Sequence, residues 1–117
     1  MKEMQITRGQ VVWVELEGQG GSVQKGRRPY VIISNNRANT FSPVILGVPI
    51  TSSNTKKKLP THVSVTPEQE NGLKRDSLVT VEQIFPISKN SILSVVGQVS
   101  ECVMIQVNEA LKVSLAL

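Results

Sequence analysis

The sequence contains very few of the side chains on which metal sites and covalent catalysis depend. Cys102 is the single cysteine and His62 the single histidine among 117 residues. A lone cysteine excludes an intramolecular disulfide, and the two residues are too few for a zinc site of Cys and His ligands. No G-x-S-x-G motif surrounds any serine, and carboxylates are dispersed. We therefore predict no metal and no cofactor, and we interpret Cys102 as a small buried side chain.

Long hydrophobic runs are also missing. The longest apolar stretches, such as residues 43–50, fall well short of the ~20 residues that span a bilayer, and residues 1–7 are too polar for a signal peptide. We therefore expect a cytoplasmic protein. Its length suits one core and leaves no room for a linker, so we expect a single domain over residues 1–117.

Acidic residues are absent from residues 18–67. That stretch carries +7, from Lys25, Arg27, Arg28, Arg37, Lys56, Lys57 and Lys58. The rest of the chain has nine acids and six basic residues, or −3, so the charge is strongly uneven. The basic stretch is a candidate phosphate-binding surface; the alternative is a solvated face that maintains solubility.

Short strands are the main element that the sequence predicts before residue 100. Residues 10–16 alternate with the period of a strand, and residues 30–34 and 44–50 are apolar runs typical of buried strands. Further strands are predicted at residues 61–65, 77–83 and 92–99, with breaks at 71–72 and 86–90, and Pro49 is predicted at an edge or bulge. About five to seven short strands predict a small barrel, in the α+β class but mostly β.

The last segment changes to a helical period. Val103, Val107, Ala110, Leu111 and Ser114 lie at helical spacing, after Ser100 as N-cap and Glu101 in the first turn. We predict a C-terminal helix that packs this stripe on the barrel. By contrast, the glycine-rich, basic segment from residue 18 to Arg28 indicates a long mobile loop.

Aromatic residues are scarce: Trp13, Tyr30, Phe41 and Phe85. We interpret each as a core residue rather than a base-stacking platform, although Phe41 lies in a segment that could be a loop. The remaining chemistry is a pair of arginines at 27–28, hydroxyls at 51–53 and Glu82 beside Gln83. These groups could bind a phosphodiester and cleave RNA, because RNA supplies its own nucleophile, the 2′-OH.

Several separated blocks resemble the MazF/PemK toxin family over nearly the entire chain. They are Arg8-Gly9-Gln10-Val11, Gly21-Ser22 to Arg28-Pro29, Ile33-Ser34-Asn35, Ser42-Pro43, Pro49-Ile50-Thr51-Ser52, Leu59-Pro60-Thr61-His62-Val63, Asp76-Ser77 and Glu82-Gln83-Ile84. The resemblance implies an SH3-like barrel of the type shared with gyrase-poisoning toxins, working as a homodimer. It also implies ribosome-independent, sequence-specific cleavage of single-stranded mRNA, and neutralisation by a small MazE-like antitoxin.

The resemblance further places the family's catalytic Arg and Thr on Arg28 and Thr51. Glu82 is our candidate for the general base, and a structural partner of a basic residue is the alternative. Expected RNA contacts, chosen by charge, amide chemistry and nearness to these blocks, are Gln24, Lys25, Arg27, Ser52, Asn54, Lys56, His62 and Gln83. We interpret His62 as a structural or RNA-contacting histidine, and acid–base chemistry is the alternative. For the lysines at 56–58 the alternative is a solvated hairpin tip. Val23 and Gln10 stand where relatives commonly have Glu and Asp.

Two rival functions remain at this stage. A gyrase poison of the same barrel class would act on a protein and leave RNA intact. A non-catalytic nucleic-acid-binding barrel would use the +7 stretch to bind without cutting.

Overall fold

The computed structural model describes residues 5–16, 26–52 and 59–117, and β-strands are the main regular element among them. The strands are β1 (Gln10–Leu16), β2 (Gly26–Ile32), β3 (Val44–Ser52), β4 (His62–Val65), β5 (Ser77–Thr80), β6 (Phe85–Ser88) and β7 (Ile92–Gln98). Two α-helices, α1 (Asn36–Phe41) and α2 (Glu101–Leu115), and a 3-10 turn at Lys89–Ser91 complete the described elements. This confirms the α+β, mostly β class.

The strands form one antiparallel sheet in the order β4-β5-β3-β2-β1-β7, with β6 also paired to β3. β4 and β7 end this path, so pairing among the described residues does not close the sheet into a barrel. The sheet is buried on both faces because alternate residues enter two separate cores. In β1, for example, Val11 enters the core that α2 covers, whereas Val12 and Val14 enter the core around Tyr30.

Pro49 lies inside β3, opposite Tyr30 of β2. On the other side of β3, Gly47 faces Phe85 of β6 and Ile50 faces Val79 of β5. Three steps along β3 therefore match six steps along the opposing chain, which bulges outward between β5 and β6. Pro49 falls opposite this interruption, where the ladder does not need its missing N–H. The predicted bulge position is confirmed.

The segment of residues 66–76, which joins β4 to β5, is held by the buried side chain of Asn71. Its Oδ1 accepts the N–H groups of Glu68 and Leu73, both at 3.0 Å, and its Nδ2 donates to the Thr66 carbonyl at 2.9 Å. The segment packs directly on β7, since a Cβ added to Gly72 would lie 2.5 Å from the Val96 side chain. Gly72 also has φ +70°, which favours glycine. We call this piece the 66–76 segment.

Helix α2 has the boundaries and the buried stripe that its sequence predicts. The Ser100 hydroxyl accepts the Val103 N–H at 3.2 Å, and Val103, Val107 and Ala110 are buried against the first core. Cys102, however, is exposed, so its prediction as a buried residue was wrong. The reason is geometric: Cys102 lies next to Val103 in the first turn and outside the buried stripe.

Three other expectations need correction. β2 begins at Gly26, so residues 26–28 are in a strand rather than in the predicted mobile loop, of which residues 18–25 lie outside the described part of the chain. Residues 85–88 form β6 where a break was expected, because β3 offers them a partner. Phe41, which was predicted as a core residue, ends the short helix α1 and is 77% exposed. No helix among the described residues is long and apolar enough to cross a membrane.

Candidate nucleic-acid interface

Arg28 and Thr51 lie on neighbouring strands at the same end of the sheet. The β2–β3 ladder pairs Ile32 with Gly47, Val31 with Val48 and Tyr30 with Pro49. This ladder ends at Tyr30 and Pro49, and Arg28 and Thr51 each lie two residues beyond its last pair, towards the same end of the sheet. Both residues are half-buried. The fold therefore brings together a guanidinium and a hydroxyl that are 23 positions apart in the sequence (51 − 28).

The two arginines of β2 point to opposite faces because strand residues alternate. Arg28 shares its face with Tyr30, and its guanidinium is close enough to oppose the effect of burial, which raises the pKa of the Tyr30 hydroxyl. Arg27 is exposed on the other face, where its Nε lies 3.4 Å from the Glu15 carboxylate. Arg28 is thus the arginine that adjoins a buried aromatic hydroxyl, and Arg27 is a surface cation.

A groove of about 640 Å³ runs beside Thr51, on the face that carries Arg27. Its apolar part comes from Val11, Ile50 and Val96, and Trp13 of β1 lines it as well. We call it the β1–β7 groove, since these two strands contribute Trp13 and Val96. Thr51 belongs to both features, because it lies at the same end of the sheet as Arg28 and also lines the groove.

The 66–76 segment adds Lys74 and Arg75 to the groove lining. Both side chains are exposed, and neither takes part in an ion pair among the described residues. The sequence prediction missed these two cations, since they lie in the acidic part of the chain. It also placed Trp13 in the core, which was wrong: 39% of its surface is exposed. The register between β1 and its neighbours, which the sequence does not display, is what brings Trp13 out.

Glu82 lies in the bulge between β5 and β6 and not among the residues of the β1–β7 groove. Its carboxylate accepts the Thr61 hydroxyl at 2.9 Å and lies 3.1 Å from Nε2 of His62. Burial acts to raise the pKa of the Glu82 carboxyl, but hydrogen bonds from its own backbone N–H, His62 and Thr61 outweigh burial and hold that pKa below its ordinary value of 4.5. Both carboxylate oxygens are thus already engaged.

His62 is the first residue of β4 and is buried. Its Nδ1 accepts the Leu59 N–H at 3.2 Å, which requires Nδ1 to carry no proton, so Nε2 carries it and donates to Glu82. These contacts fit a structural role for His62, because they tie the chain after residue 58 to the bulge. No cluster of three His, Cys, Asp or Glu side chains around a possible metal ion occurs within residues 5–16, 26–52 and 59–117.

The remaining predicted contact residues are spread along the chain. Ser52 ends β3 opposite Ser77 and is exposed, and Gln83 follows Glu82 in the bulge, where its N–H donates to the Thr80 carbonyl at 3.1 Å. Gln24, Lys25, Asn54 and Lys56 lie outside the described residues, as does Val23. Gln10 accepts the Thr7 N–H at 3.0 Å and so acts in the turn before β1.

Sequence comparison finds relatives over nearly the whole chain. A family described as PemK-like, MazF-like toxin of type II toxin-antitoxin system matches residues 7–115. The endoribonuclease EndoA of Bacillus subtilis is 39% identical over 114 residues, which are 97% of each chain. The endoribonuclease MazF of Staphylococcus epidermidis is 38% identical over 112 residues, 96% of this chain and 92% of the relative.

Solved structures agree on the fold. An endoribonuclease from a mycobacterial species, solved with its cognate antitoxin, superposes with a TM-score of 0.78 at 27% identity and covers 96% of both chains. MazF from Deinococcus radiodurans superposes with a TM-score of 0.80 at 22% identity, covering 98% of this chain and all of that one. The second likeness shows the fold alone.

Proposed function

Because the chain belongs to the PemK-like, MazF-like toxins of type II toxin–antitoxin systems, we propose that it is an endoribonuclease toxin that cuts single-stranded mRNA. It acts on specific sequences and without the ribosome. Support comes from two relatives that are named endoribonucleases and that match this chain over nearly their whole length. We further propose that residues 1–117 form one toxin domain, which acts in the cytoplasm, where mRNA is found.

The observation that carries this proposal is that Arg28 and Thr51 both lie two residues beyond the last pair of the β2–β3 ladder, at the same end of these strands. A guanidinium can hold two phosphate oxygens at once, and a threonine hydroxyl can donate to a third. Both groups lie on strands rather than on loops, so their positions are set before the substrate binds. The pair therefore suits the scissile phosphate of RNA.

The reaction is a transesterification within the RNA. The 2′-oxygen gives up its proton to a base and attacks the adjacent phosphorus, and the bond from phosphorus to the 5′-oxygen breaks as that oxygen takes a proton. The products are a 2′,3′-cyclic phosphate and a 5′-OH. Arg28 stabilises the extra negative charge of the phosphorane, while Thr51 orients the phosphate for in-line attack. No metal or cofactor is needed, because the nucleophile belongs to the substrate.

Glu82 is the candidate base, but its contacts favour a positioning role. A base has to reach the 2′-OH, whereas both oxygens of Glu82 are already bonded to Thr61 and His62. Its low pKa also makes it a weak proton acceptor. We therefore propose that Glu82 holds the start of β4 through His62, and that the base is another group.

We propose two protein partners. A second copy of the chain forms the homodimer that the family resemblance implies. A cognate antitoxin neutralises the toxin, and the support is the mycobacterial endoribonuclease that was solved with its own antitoxin. Residues 24, 25, 27, 52, 54, 56 and 83 keep their proposed role in contacting RNA, whereas His62 is buried with both ring nitrogens engaged and takes the structural role.

The test is to incubate the purified protein in excess EDTA with a long, weakly structured RNA and to map both ends of each fragment. We expect cuts at one short motif, with 2′,3′-cyclic phosphate and 5′-OH ends. Arg28→Ala should lose about 10²–10³ in rate while staying folded. Arg37→Ala is the matched control, since Arg37 lies on α1 beside Phe41. Intact RNA with the wild type, or Arg28→Ala within tenfold of it, contradicts the proposal and favours the binding barrel or the gyrase poison.

A further inference from the structure

The β1–β7 groove has the composition of a pocket for an unstacked base. It is largely apolar, and it has about 640 Å³ of space, in the range of small-molecule sites. Trp13 lines both this groove and a second one of about 370 Å³, which Arg27 and Leu93 also line. The indole of Trp13 therefore presents a large flat surface to a ligand that enters either groove.

The neighbours of Trp13 leave part of its ring exposed, so that 39% of its surface is accessible. On the sheet it pairs with Pro29 of β2 on one side and with Ser94 of β7 on the other, both of them small. The aromatic ring contact and the cation–π contact found among the described residues involve Tyr30, Phe85, Arg37 and Phe41, and not Trp13. Exposing this much aromatic surface on a sheet is costly unless a ligand covers it.

The charges around the groove point to a polyanion. Lys74 and Arg75 line it without an ion pair among the described residues, and Arg27 stands in the adjoining groove. The neighbouring acids are Asp76, which is exposed, and Glu15, which is paired with Arg27. Because Asn71 fixes the 66–76 segment, Lys74 and Arg75 are attached to backbone that is already ordered.

We propose that one base of the RNA leaves its stack, enters the β1–β7 groove and stacks on Trp13, while Lys74 and Arg75 neutralise a neighbouring phosphate. This inference rests on the proposed function, and Thr51 links the two, since it lies at the same end of the sheet as Arg28 and lines the groove. The RNA strand passes around the end of β2 and β3. Its scissile phosphate lies on the Arg28 face of the sheet, and the unstacked base lies on the Trp13 face. Trp13 thus contributes binding energy by stacking, which any base can provide.

Trp13 reports on its own groove, since it is the single tryptophan of the sequence. A single-stranded 2′-O-methyl oligoribonucleotide, which lacks the nucleophile, should quench its fluorescence saturably. An abasic oligonucleotide of equal length offers the same phosphates without bases, and it should bind without this quenching. Binding of the base-bearing oligonucleotide, measured by anisotropy of an end label, with unchanged Trp13 emission overturns the inference.

Two substitutions test stacking. Trp13→Leu should weaken oligonucleotide binding by about 5- to 150-fold, the usual worth of one base–aromatic stack, whereas Trp13→Phe should keep most of the affinity. Equal affinities of the two variants overturn the inference. The inference is also overturned if the sedimentation coefficient shifts in Trp13→Leu but not in Trp13→Phe. The groove would then be occupied by a second copy of the chain.

Two further substitutions test the cations. Lys74→Ala and Arg75→Ala should each reduce the slope of log K against log salt by about 0.7, while Lys112→Ala on α2 should leave it unchanged. An unchanged slope in both variants overturns the role given to the 66–76 segment. RNA cleavage by the wild type is read separately: a protein that cuts RNA without quenching refutes this inference alone, and one that cuts no RNA refutes the proposed function.

Discussion

The hydroxyl of Thr51 is one methyl-sized group, and a single substitution can remove it without changing the shape of the side chain. Thr51→Val should lower kcat about 10- to 100-fold, because a hydrogen bond to a charged phosphate oxygen is lost. Thr51→Ser, which keeps the hydroxyl, is the matched variant and should stay within a few-fold of the wild type. Single-turnover rates on one defined RNA measure both. Equal rates for the Val and Ser variants would mean that the Thr51 hydroxyl takes no part in the reaction.

Glu82 makes a prediction about pH. Its pKa is lowered in the folded protein, so the stability it contributes is present above its ordinary value of 4.5 and is lost as pH falls through its lower folded value. Glu82→Gln should therefore be less stable than the wild type near neutral pH, and the difference should shrink in acid. Urea unfolding at several pH values measures this. If Glu82 were the base instead, the acid limb of the kcat profile would vanish in the Gln variant.

The proposed catalytic residues came from the resemblance, whereas their surroundings came from the structure. The sequence blocks suggest Arg28 and Thr51, and the fold places both at the same end of β2 and β3. Lys74, Arg75 and Trp13 were missed, because their meeting depends on pairing between β1, β7 and a segment far away in sequence. A local pattern of charge or hydrophobicity carries no sign of such a meeting.

At the scale of elements, the 66–76 segment depends on one amide. Asn71→Ala should destabilise the protein by about 2 kcal/mol or more, because it leaves two backbone N–H groups and a carbonyl without their partner. Asn90→Ala is the control, since Asn90 is exposed. Urea unfolding compares the two. Equal stability would mean that the segment is held by its packing on β7 rather than by Asn71.

The strand and helix boundaries were predictable where local pattern and tertiary environment agree. β1 and α2 have clear periods and a clear cap, and both were found at the predicted positions. β6 was missed because Pro86 signals a break, although Pro86 pairs with Leu46 on β3. The start of β2 was missed because Gly26, Arg27 and Arg28 have loop character, and only pairing with β1 makes them a strand.

At the scale of the whole molecule, charge is divided between a basic stretch and a mildly acidic remainder. If the lysines at 56–58 contact RNA, replacing all three by alanine should reduce the salt slope of binding by about 2, or 0.7 for each phosphate. The control is Lys112→Ala on α2. Equilibrium binding of the 2′-O-methyl oligonucleotide at several salt concentrations gives the slope. An unchanged slope would make these lysines a solvated tip.

Because both β1 and β7 line the groove, it can form only after β7 has been synthesised on the ribosome. Residues 17–91 must be made after β1 before β7 begins, so a nascent chain has Trp13 long before it has Val96 on the opposite side. A chain that stops at Ser91 should therefore neither bind the oligonucleotide nor cut RNA. Translation stalled at that codon, followed by an RNA cleavage assay, would show whether this holds. The unfinished protein would then be unable to cut the mRNA from which it is being translated until the last strand has emerged.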